Sequence, residues 1–239
     1  MLFIAQAAAS QTSLPNPDLA VLGKALTGPT GSMALSPDAS PTFTPREGNW
    51  QYLITSGTTG GTKITEALTK VAAGPTVVWR RTWDPGHVTD FVVSPGVVFK
   101  TRITDPDHQL EFTYTPGEPE LISGMTPGET RHFSYSVRVN KLSDPSFVNA
   151  SGQMAVDFTY LGQYRFATAA GELLADGFRK ALTGRVGPTE SNTTLYVFYS
   201  AGIGEVARID HTEIHALVLF NRDSRTGYVL DQLPVFTGP

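Results

Sequence analysis

Residues 193–221 read T-T-L-Y-V-F-Y-S-A-G-I-G-E-V-A-R-I-D-H-T-E-I-H-A-L-V-L-F-N, and this stretch decides the fold class of the chain. It holds the longest runs of aromatic and β-branched residues, which suit a pleated and half-buried surface. The short glycine-bearing segment 201–204 divides these runs, so the stretch predicts a β-hairpin. In the first run Tyr196 and Phe198 alternate with Val197 and Tyr199. Both faces are apolar, and we expect both to be covered.

Composition limits the size and the class of the protein. The chain has 239 residues, of which 40% are hydrophobic, enough for one large β domain or two small ones. Eighteen basic and 22 acidic residues give a formal net charge of −4 without any cluster of Lys and Arg, so no nucleic-acid partner is expected. The absence of cysteine excludes disulfides, zinc–thiolate sites and thiol nucleophiles. We predict no cofactor and no transmembrane segment, since no run approaches the roughly 20 apolar residues of a membrane span.

The N-terminal residues suggest export. Residues 1–11 read M-L-F-I-A-Q-A-A-A-S-Q, an apolar start followed by small residues in the A-x-A style of a signal-peptidase site, without a basic region before it. Two interpretations stay open, an irregular N-terminus and the truncated remnant of a secretory signal. We favour the second, which predicts a periplasmic or secreted protein.

In the rest of the chain, turn residues separate short predicted strands in the pattern of an antiparallel meander. Spacings of three and four between leucines predict a short helix at 17–25, and the prolines and glycines after it predict a loop. From residue 45 onward the hydrophobic pattern has period two, and turn residues recur about every ten positions, which is typical of antiparallel strands. We predict strands at 49–54, 64–73, 76–83, 88–93, 97–104 and 109–115, the last ending at Pro116-Gly117.

Three correspondences predict an internal duplication. The segment 45–54 has a counterpart in 127–137, and 67–76 has one in 181–189. An aromatic strand follows in each copy, at 77–83 and at 195–199. We therefore divide the chain into an N-terminal signal remnant with an irregular segment (1–44), a first β half (45–120) and a second β half (121–239). The predicted fold is mainly β, with strongly curved antiparallel sheets (a half-barrel or a bent meander) from two related halves and little helix.

Three segments in the second half resemble a group of exported bacterial β proteins of unknown function. They are M-T-P-G-E-T-R-H-F-S-Y (125–135), T-A-A-G-E-L-L-A (168–175) and Y-V-F-Y-S-A-G-I-G-E-V (196–206). The group shares a P-x-G-x-x-W-x-Y strand, an A-G-x-F edge and a Y-x-x-G-x-G hairpin, and this chain has Phe133 and Ala201 where the group has Trp and Pro. The resemblance implies a bent sheet in the bacterial envelope, similar in outline to the half-open barrels of lipoprotein carriers. It also favours strands on either side of an Asp176-Gly177 turn over a helix at 170–182, and it implies no catalytic residues.

Two histidines flanking a carboxylate, His211, Glu213 and His215, form a weak candidate metal site. On a helix the two histidines would lie one turn apart and could share a zinc ion. The surrounding pattern indicates a strand, in which their Cα atoms would be roughly 13 Å apart. We therefore expect a solvent-facing polar strand face here, with Thr212 on the buried face.

Acidic residues also cluster at two turns. His87 follows a D-P-G turn, and Asp105, Asp107 and His108 surround a D-P-D-H turn. Acids at turns usually accept hydrogen bonds from nearby backbone N–H groups, and we expect that role here, with calcium binding as the minor alternative. The chain has no G-x-S-x-G motif and no phosphate-binding loop.

Aromatic residues provide the other candidate site. Rings on alternating strand positions could pack as cross-strand pairs in a core, or they could line an apolar cleft on the concave side of the sheet. The candidate ligand-lining residues are Trp50, Tyr52, Trp79, Trp83, Phe133, Tyr135, Tyr196 and Phe198.

These observations favour a non-enzymatic exported protein that binds an apolar or lipidic ligand on a concave, aromatic-lined face. The alternative is a structural or assembly protein of the envelope that binds another protein or itself. A hydrolase with a Ser-His-Asp site assembled from distant positions is the third hypothesis. The sequence leaves the ligand, the partner and the oligomeric state open.

Overall fold

The computed structural model describes residues 16–43, 46–57, 59–73, 76–83, 86–216 and 220–237. Within these ranges the chain is mainly β with little helix, as predicted. A 3-10 helix occupies Leu19–Ala25, where a helix was expected, and a single short α-helix, α1, occupies Ala39–Phe43. The proposed signal remnant at residues 1–11 lies outside the described residues.

Thirteen strands run through the described residues. They are β1 (Leu26–Pro29), β2 (Gly48–Ile54), β3 (Lys63–Ala73), β4 (Thr76–Trp83), β5 (His87–Ser94), β6 (Val97–Asp105), β7 (Leu110–Ile122), β8 (Thr130–Lys141), β9 (Asp144–Thr168), β10 (Gly171–Val186), β11 (Thr189–Ser200), β12 (Gly204–Ala216) and β13 (Phe220–Phe236).

The sheet closes on itself. Each strand from β3 to β12 pairs antiparallel with the strands before and after it in the sequence. The last strand returns to the first, with Tyr228 opposite Ile54 and Phe236 opposite Gly48. Twelve strands therefore form one barrel, and β1 pairs separately with the far part of β9. The predicted half-barrel or bent meander was too open, because the β13–β2 pairing satisfies both edges that a half-barrel would leave unpaired.

The hairpin at the centre of the sequence argument is confirmed. Strands β11 and β12 are joined by a turn at 201–203, in which the Ile203 N–H donates to the Ser200 carbonyl at 3.1 Å. Both faces of β11 are covered, as expected. Val197 faces the lumen, whereas Tyr196 lies on the outer face and accepts a hydrogen bond from Asn16 Nδ2 at 2.8 Å.

Helix α1 closes one end of the barrel. The Phe43 ring centroid lies 5.2 Å from that of Phe91 and 6.5 Å from that of Tyr199. The loop predicted for this segment was wrong at Ala39–Phe43, because burial of Ala39 and Phe43 holds a single helical turn that propensity alone would not. The opposite end carries the β4–β5, β6–β7, β8–β9 and β10–β11 hairpin turns.

Strand β7 does not end at Pro116-Gly117 as predicted. It continues to Ile122 across a bulge, because Lys100 pairs with Glu118 while Arg102 pairs with Thr113, which leaves extra β7 residues at this point. Gly117 has φ of 150°, and a Cβ there would lie 2.8 Å from the Phe99 Cβ. The P-G pair thus marks a bulge, and the strand beyond it carries two acidic residues into the lumen.

Strand β10 also passes through a predicted turn. The expected Asp176-Gly177 turn was wrong, since Gly171–Val186 is one continuous strand. A register shift against β9 lies between Gly177 and Phe178. A Cβ on Gly177 would lie 2.9 Å from the Phe198 ring, so this glycine permits a close approach rather than a reversal.

The structure does not show two related halves. The first sequence correspondence aligns β2 with β8, which cross the barrel in the same direction. The second aligns β3 with β10, which cross it in opposite directions because one extra strand, β9, intervenes in the second copy. Domain boundaries at residues 45 and 121 therefore remain a prediction from sequence.

We predict that Phe178→Ala lowers the free energy of unfolding by about 3–5 kcal/mol. The ring is fully buried and packs 5.4 Å from Phe158 and 5.2 Å from Tyr160. Leu174→Ala in the same strand is the control, because that side chain is 47% exposed, and it should change stability by less than about 1 kcal/mol. Urea unfolding measures both, and equal losses would contradict the assigned register of β10.

Candidate functional site

Two adjoining cavities lie in the lumen, towards the end opposite α1. We call them the basic cavity, of about 520 Å³, and the apolar cavity, of about 640 Å³. Lys100 and Leu195 line both. The basic cavity is lined by Arg81, Trp83, His87, Thr89, Phe91, Lys100, Ile103, Glu120, Lys180, Leu195, Val197, Arg208, Asp210, Thr212 and Tyr228. The apolar cavity is lined by Lys100, Phe112, Tyr114, Glu118, Tyr135, Val137, Val139, Asn149, Ala150, Met154, Leu182, Val186, Pro188, Thr189, Ser191, Thr193 and Leu195.

Strand periodicity brings these side chains inward. Successive side chains of a strand point to opposite faces, so residues two apart share a face. In β4 this places Arg81 beside Trp83, and in β12 it places Arg208 beside Asp210, with each pair lining the basic cavity. The lumen therefore receives charged and aromatic groups from the same strands.

A lysine–carboxylate network forms the floor between the two cavities. Lys180 Nζ lies 2.5 Å from Glu118 Oε1 and 2.7 Å from Glu120 Oε2. Lys100 Nζ lies 2.8 Å from the other oxygen of Glu118. Burial opposes ionisation of both glutamates, but the ammonium groups of Lys180 and Lys100 outweigh it and hold the pKa of each carboxyl below its usual range. Both carboxyls therefore stay ionised beside the two ammonium groups in the folded protein.

Two tyrosines complete this floor. Tyr135 donates its hydroxyl to Glu118 Oε2 at 3.1 Å, and Tyr199 donates to Glu120 Oε1 at 3.0 Å. Burial, with the neighbouring carboxylates, raises the pKa of both hydroxyls well above its ordinary value. The tyrosines are thus fixed hydrogen-bond donors.

A second network surrounds Arg81. Its Nε lies 2.9 Å from Glu66 Oε1, and its Nη1 donates to Glu205 Oε2 at 3.1 Å. Burial raises the pKa of Glu66 to about 7, and Arg81 only partly offsets it. One guanidinium is therefore shared by two buried carboxyls, and Glu66 takes up a proton at a higher pH than an ordinary glutamate.

Arg208 differs from the other lumen cations. Its guanidinium carbon lies 4.1 Å from the centroid of the Trp83 ring and 5.0 Å from that of Tyr228. Its nearest carboxylate oxygens are at 3.6 Å, on Glu205, and 3.5 Å, on Asp210. Within the part of the chain that the structure describes, Arg208 makes no hydrogen bond, although the side chain is only 12% exposed.

The eight aromatic residues predicted to line a ligand site do not lie together. Trp83 lines the basic cavity and Tyr135 the apolar cavity. Trp50, Tyr52 and Trp79 are buried elsewhere in the core, Phe133 is half-buried, and Tyr196 and Phe198 lie on the outer face of β11. Ligand contact stays a prediction for all eight.

The buried Trp50 and Tyr52 are held by hydrogen bonds to backbone. Trp50 Nε1 donates to the Ile203 carbonyl at 2.8 Å, and the Tyr52 hydroxyl donates to the Glu205 carbonyl at 2.9 Å. Both bonds tie β2 to the β11–β12 hairpin past the intervening strand β13. These two rings therefore act as packing elements in the structure.

The histidines of the candidate metal site lie in strand β12, as the surrounding pattern predicted. Thr212 lines the lumen, and His211 points the other way, with Nδ1 3.3 Å from Asp18 Oδ1. His211 is therefore covered by the N-terminal segment instead of facing solvent freely. The side chains of Glu213 and His215 lie outside the described residues.

A cluster of three possible metal ligands lies at the end of the barrel opposite α1. His87 Nε2 is 3.4 Å from Asp105 Oδ1 and 3.5 Å from Asp107 Oδ2. Among the residues described, these three are grouped closely enough to share a cation, since their ligand atoms lie within 4.8 Å of one another. Asp105 also accepts a hydrogen bond from the His108 backbone N–H at 3.0 Å, which confirms the expected turn-capping role.

Sequence reasoning missed the charged residues of the lumen. Acidic and basic side chains are usually solvent-exposed, so a charged residue in a predicted strand is normally assigned to the outer face of the sheet. A signal was nevertheless present, because W-R-R-T-W places Arg81 on the same face as Trp79 and Trp83. A charge in phase with large aromatic residues indicates a buried ionic group.

The chain is similar to several solved structures. A proposed lipoprotein from Parabacteroides distasonis is 13% identical over 83% of this chain and 99% of that one, with a TM-score of 0.47. A proposed exported protein with a YmcC-like fold from Bacteroides fragilis is 12% identical over 84% and 99%, with a TM-score of 0.42. The hypothetical lipoprotein YmcC from Escherichia coli is 7% identical over 80% and 89%, with a TM-score of 0.41.

No protein-family model and no curated protein matches the sequence. Across the described ranges, none of the helices combines the length and the apolar composition that crossing a membrane would require.

We predict that Lys180→Met lowers the free energy of unfolding by about 3–5 kcal/mol, because Glu118 and Glu120 would lose their shared buried partner. Lys63→Met is the matched control, since Lys63 is 52% exposed and pairs with Asp231 at 2.7 Å. Lys63→Met should lower the free energy of unfolding by no more than about 1 kcal/mol. Chemical denaturation compares the two variants, and a Lys180→Met protein as stable as the control would argue against a charged floor.

We predict an unusual pH trend that depends on Glu66. Its pKa is about 7 in the folded protein against 4.5 as the ordinary value, so the folded state binds a proton more tightly than the unfolded state. This contribution to stability is complete below about pH 4.5 and is lost as the pH rises to about 7. The unfolding free energy of the wild type should therefore decline relative to Glu66→Gln between pH 5 and 8. A difference that does not vary with pH would contradict the raised pKa.

Proposed function

We propose that the protein is a non-enzymatic binding or carrier protein that holds an apolar or lipidic ligand in the lumen of its closed sheet. The apolar cavity is the observation that carries this proposal. Its volume of about 640 Å³ falls within the roughly 300–1,000 Å³ of small-molecule sites. Its wall is mostly aliphatic and aromatic, with a smaller number of polar and charged groups, which is the usual composition of such a site.

The rigid ionic floor supports a binding role. Lys100 is fixed by Glu118 and lies over the Tyr114 ring, 5.2 Å from its centroid. Tyr114 in turn packs against Tyr135 with ring centroids 5.7 Å apart. A wall whose side chains are already fixed loses little conformational entropy when a ligand enters, so more of the contact energy appears as affinity.

Exposed apolar side chains beside the apolar cavity support a lipidic ligand. Phe147 is 50% exposed and Val148 is 44% exposed. They directly precede Asn149 and Ala150, which line the cavity. Apolar side chains at such a place could contact a ligand, or the surface that delivers it, before the ligand enters.

We place this activity outside the cytoplasm, in the periplasm or in the extracellular medium. The small-residue A-x-A pattern within residues 1–11 supports this location. Mass spectrometry of the N-terminus of protein secreted from a full-length gene tests it, and an unprocessed cytoplasmic product would contradict it.

We predict that the purified protein binds N-phenyl-1-naphthylamine, an uncharged dye whose fluorescence increases in apolar surroundings. Leu195→Trp should weaken this binding by about tenfold or more, since it places a bulky indole where the two cavities meet. Leu233→Trp is the control, because Leu233 is 53% exposed, and it should leave the affinity unchanged.

Circular dichroism and thermal melting would establish that both variants are folded. If the wild type does not bind the dye, or if the two variants lose affinity equally, the lumen is not the binding site. A clean dimer mass without dye binding would instead favour the assembly hypothesis.

A further inference from the structure

Arg208 is the lumen cation with the longest contacts to carboxylate oxygens. Arg81, Lys100 and Lys180 each have a carboxylate oxygen within 3.1 Å, whereas the nearest ones to Arg208 are at 3.5 and 3.6 Å. Charge-assisted hydrogen bonds between nitrogen and oxygen are usually about 2.7–2.9 Å long. Arg208 therefore lacks such a bond among the described residues.

The surroundings of Arg208 position it without using its donors. The rings of Trp83 and Tyr228 contact each other edge to face, with centroids 5.9 Å apart at 89°. Arg208 lies over both rings, an attraction to the ring quadrupoles that needs no N–H···O hydrogen bond. The guanidinium is thus held in place while its N–H groups have no hydrogen-bond acceptor among the described residues.

The two carboxylates near Arg208 are poor partners for it. Glu205 directs Oε2 to Arg81 at 3.1 Å, and its Oε1 lies 3.6 Å from Arg208 Nη1, too far for a hydrogen bond. Asp210 Oδ1 lies 3.5 Å from Arg208 Nε without forming a hydrogen bond, and Asp210 lines the same cavity. A buried guanidinium without hydrogen bonds is costly, and an acidic group entering the cavity would supply what the protein does not.

We infer that the ligand is an amphipath with an acidic head group, a carboxylate or a phosphate, and that Arg208 binds this group. The inference rests on the function proposed above and deepens it. The guanidinium fork matches both oxyanions in a bidentate manner. The basic cavity adjoins the apolar cavity at Lys100 and Leu195, so the chain of the ligand would occupy one cavity and its head group the other.

Displacement of N-phenyl-1-naphthylamine from the full chain tests this inference. The competitors are dodecanoate, dodecyl phosphate and dodecanol, each below the concentration at which it forms micelles. At least one acid should displace the dye at a concentration about tenfold lower than dodecanol, as expected from one hydrogen bond between charged groups. Whichever acid displaces the dye at the lower concentration identifies the kind of head group.

Arg208→Met should remove the advantage of the acid and leave displacement by dodecanol within about twofold. Arg208→Lys keeps the charge without the fork and should give an intermediate value. Arg138→Met, at an exposed position on β8, is the control and should behave like the wild type.

Asp210→Asn provides a second route if Arg208→Met does not fold. Removing this carboxylate should strengthen displacement by the acid several-fold without affecting dodecanol, since the acid would no longer be repelled.

Each outcome separates the inference from the proposed function. If the dye does not bind to the wild type, the proposed function fails. If the dye binds and dodecanol competes as well as both acids, the acidic head group is wrong and the apolar site stands. If Arg208→Met weakens displacement of the dye by dodecanol and by the acid equally, Arg208 supports the shape of the cavity and does not recognise the head group of the ligand.

Discussion

Twelve strands closed into one sheet enclose more space than short aliphatic side chains can fill, and this width governs the interior. Eight strands give a barrel whose interior side chains just fill, and sixteen or more leave an aqueous channel. Here long side chains fill the intermediate width, as Lys180 of β10 does when it reaches Glu118 and Glu120 of β7, three strands away around the barrel. Buried charges are tolerated only as pairs. The width of the barrel therefore leads directly to the ionic network, and the network leaves the cavities beside it.

Local patterns predicted the strands well and the closure poorly. Period-two alternation located β2 and β4, and the glycine turn located the β11–β12 hairpin, because these features depend on neighbouring residues. Closure depends on Tyr228 pairing with Ile54, far apart in the sequence, and nothing local encodes that contact. The two misread turns have one cause. P-G in β7 and D-G in β10 have turn chemistry, but in a strongly bent sheet the same chemistry serves a bulge or a close approach.

The candidate site was predictable in kind and not in detail. Aromatic alternation led to Trp83 and Tyr135, which line the cavities, and equally to Tyr196 and Phe198, which lie on the outer face. Strand β11 is covered on both sides, so its pattern cannot say which side is the lumen. The ion pairs could not be predicted from the sequence for a different reason. Arg81 and Glu205 are 124 positions apart, and only the closed sheet brings them together.

The charges in the lumen explain how an ionic interior could still bind an acid. Among the described residues, the cations there are Arg81, Lys100, Lys180 and Arg208, and the carboxyls are Glu66, Glu118, Glu120, Glu205 and Asp210. With all of these groups ionised their charges sum to −1, and burial raises the pKa of Glu66 to about 7, which moves the sum towards zero. An entering acid would therefore meet little net attraction, and its recognition would depend on a cation whose N–H groups are not already hydrogen-bonded to a carboxylate. Arg208 meets that condition, so binding there would leave the Lys180 floor intact and require no rearrangement of the barrel.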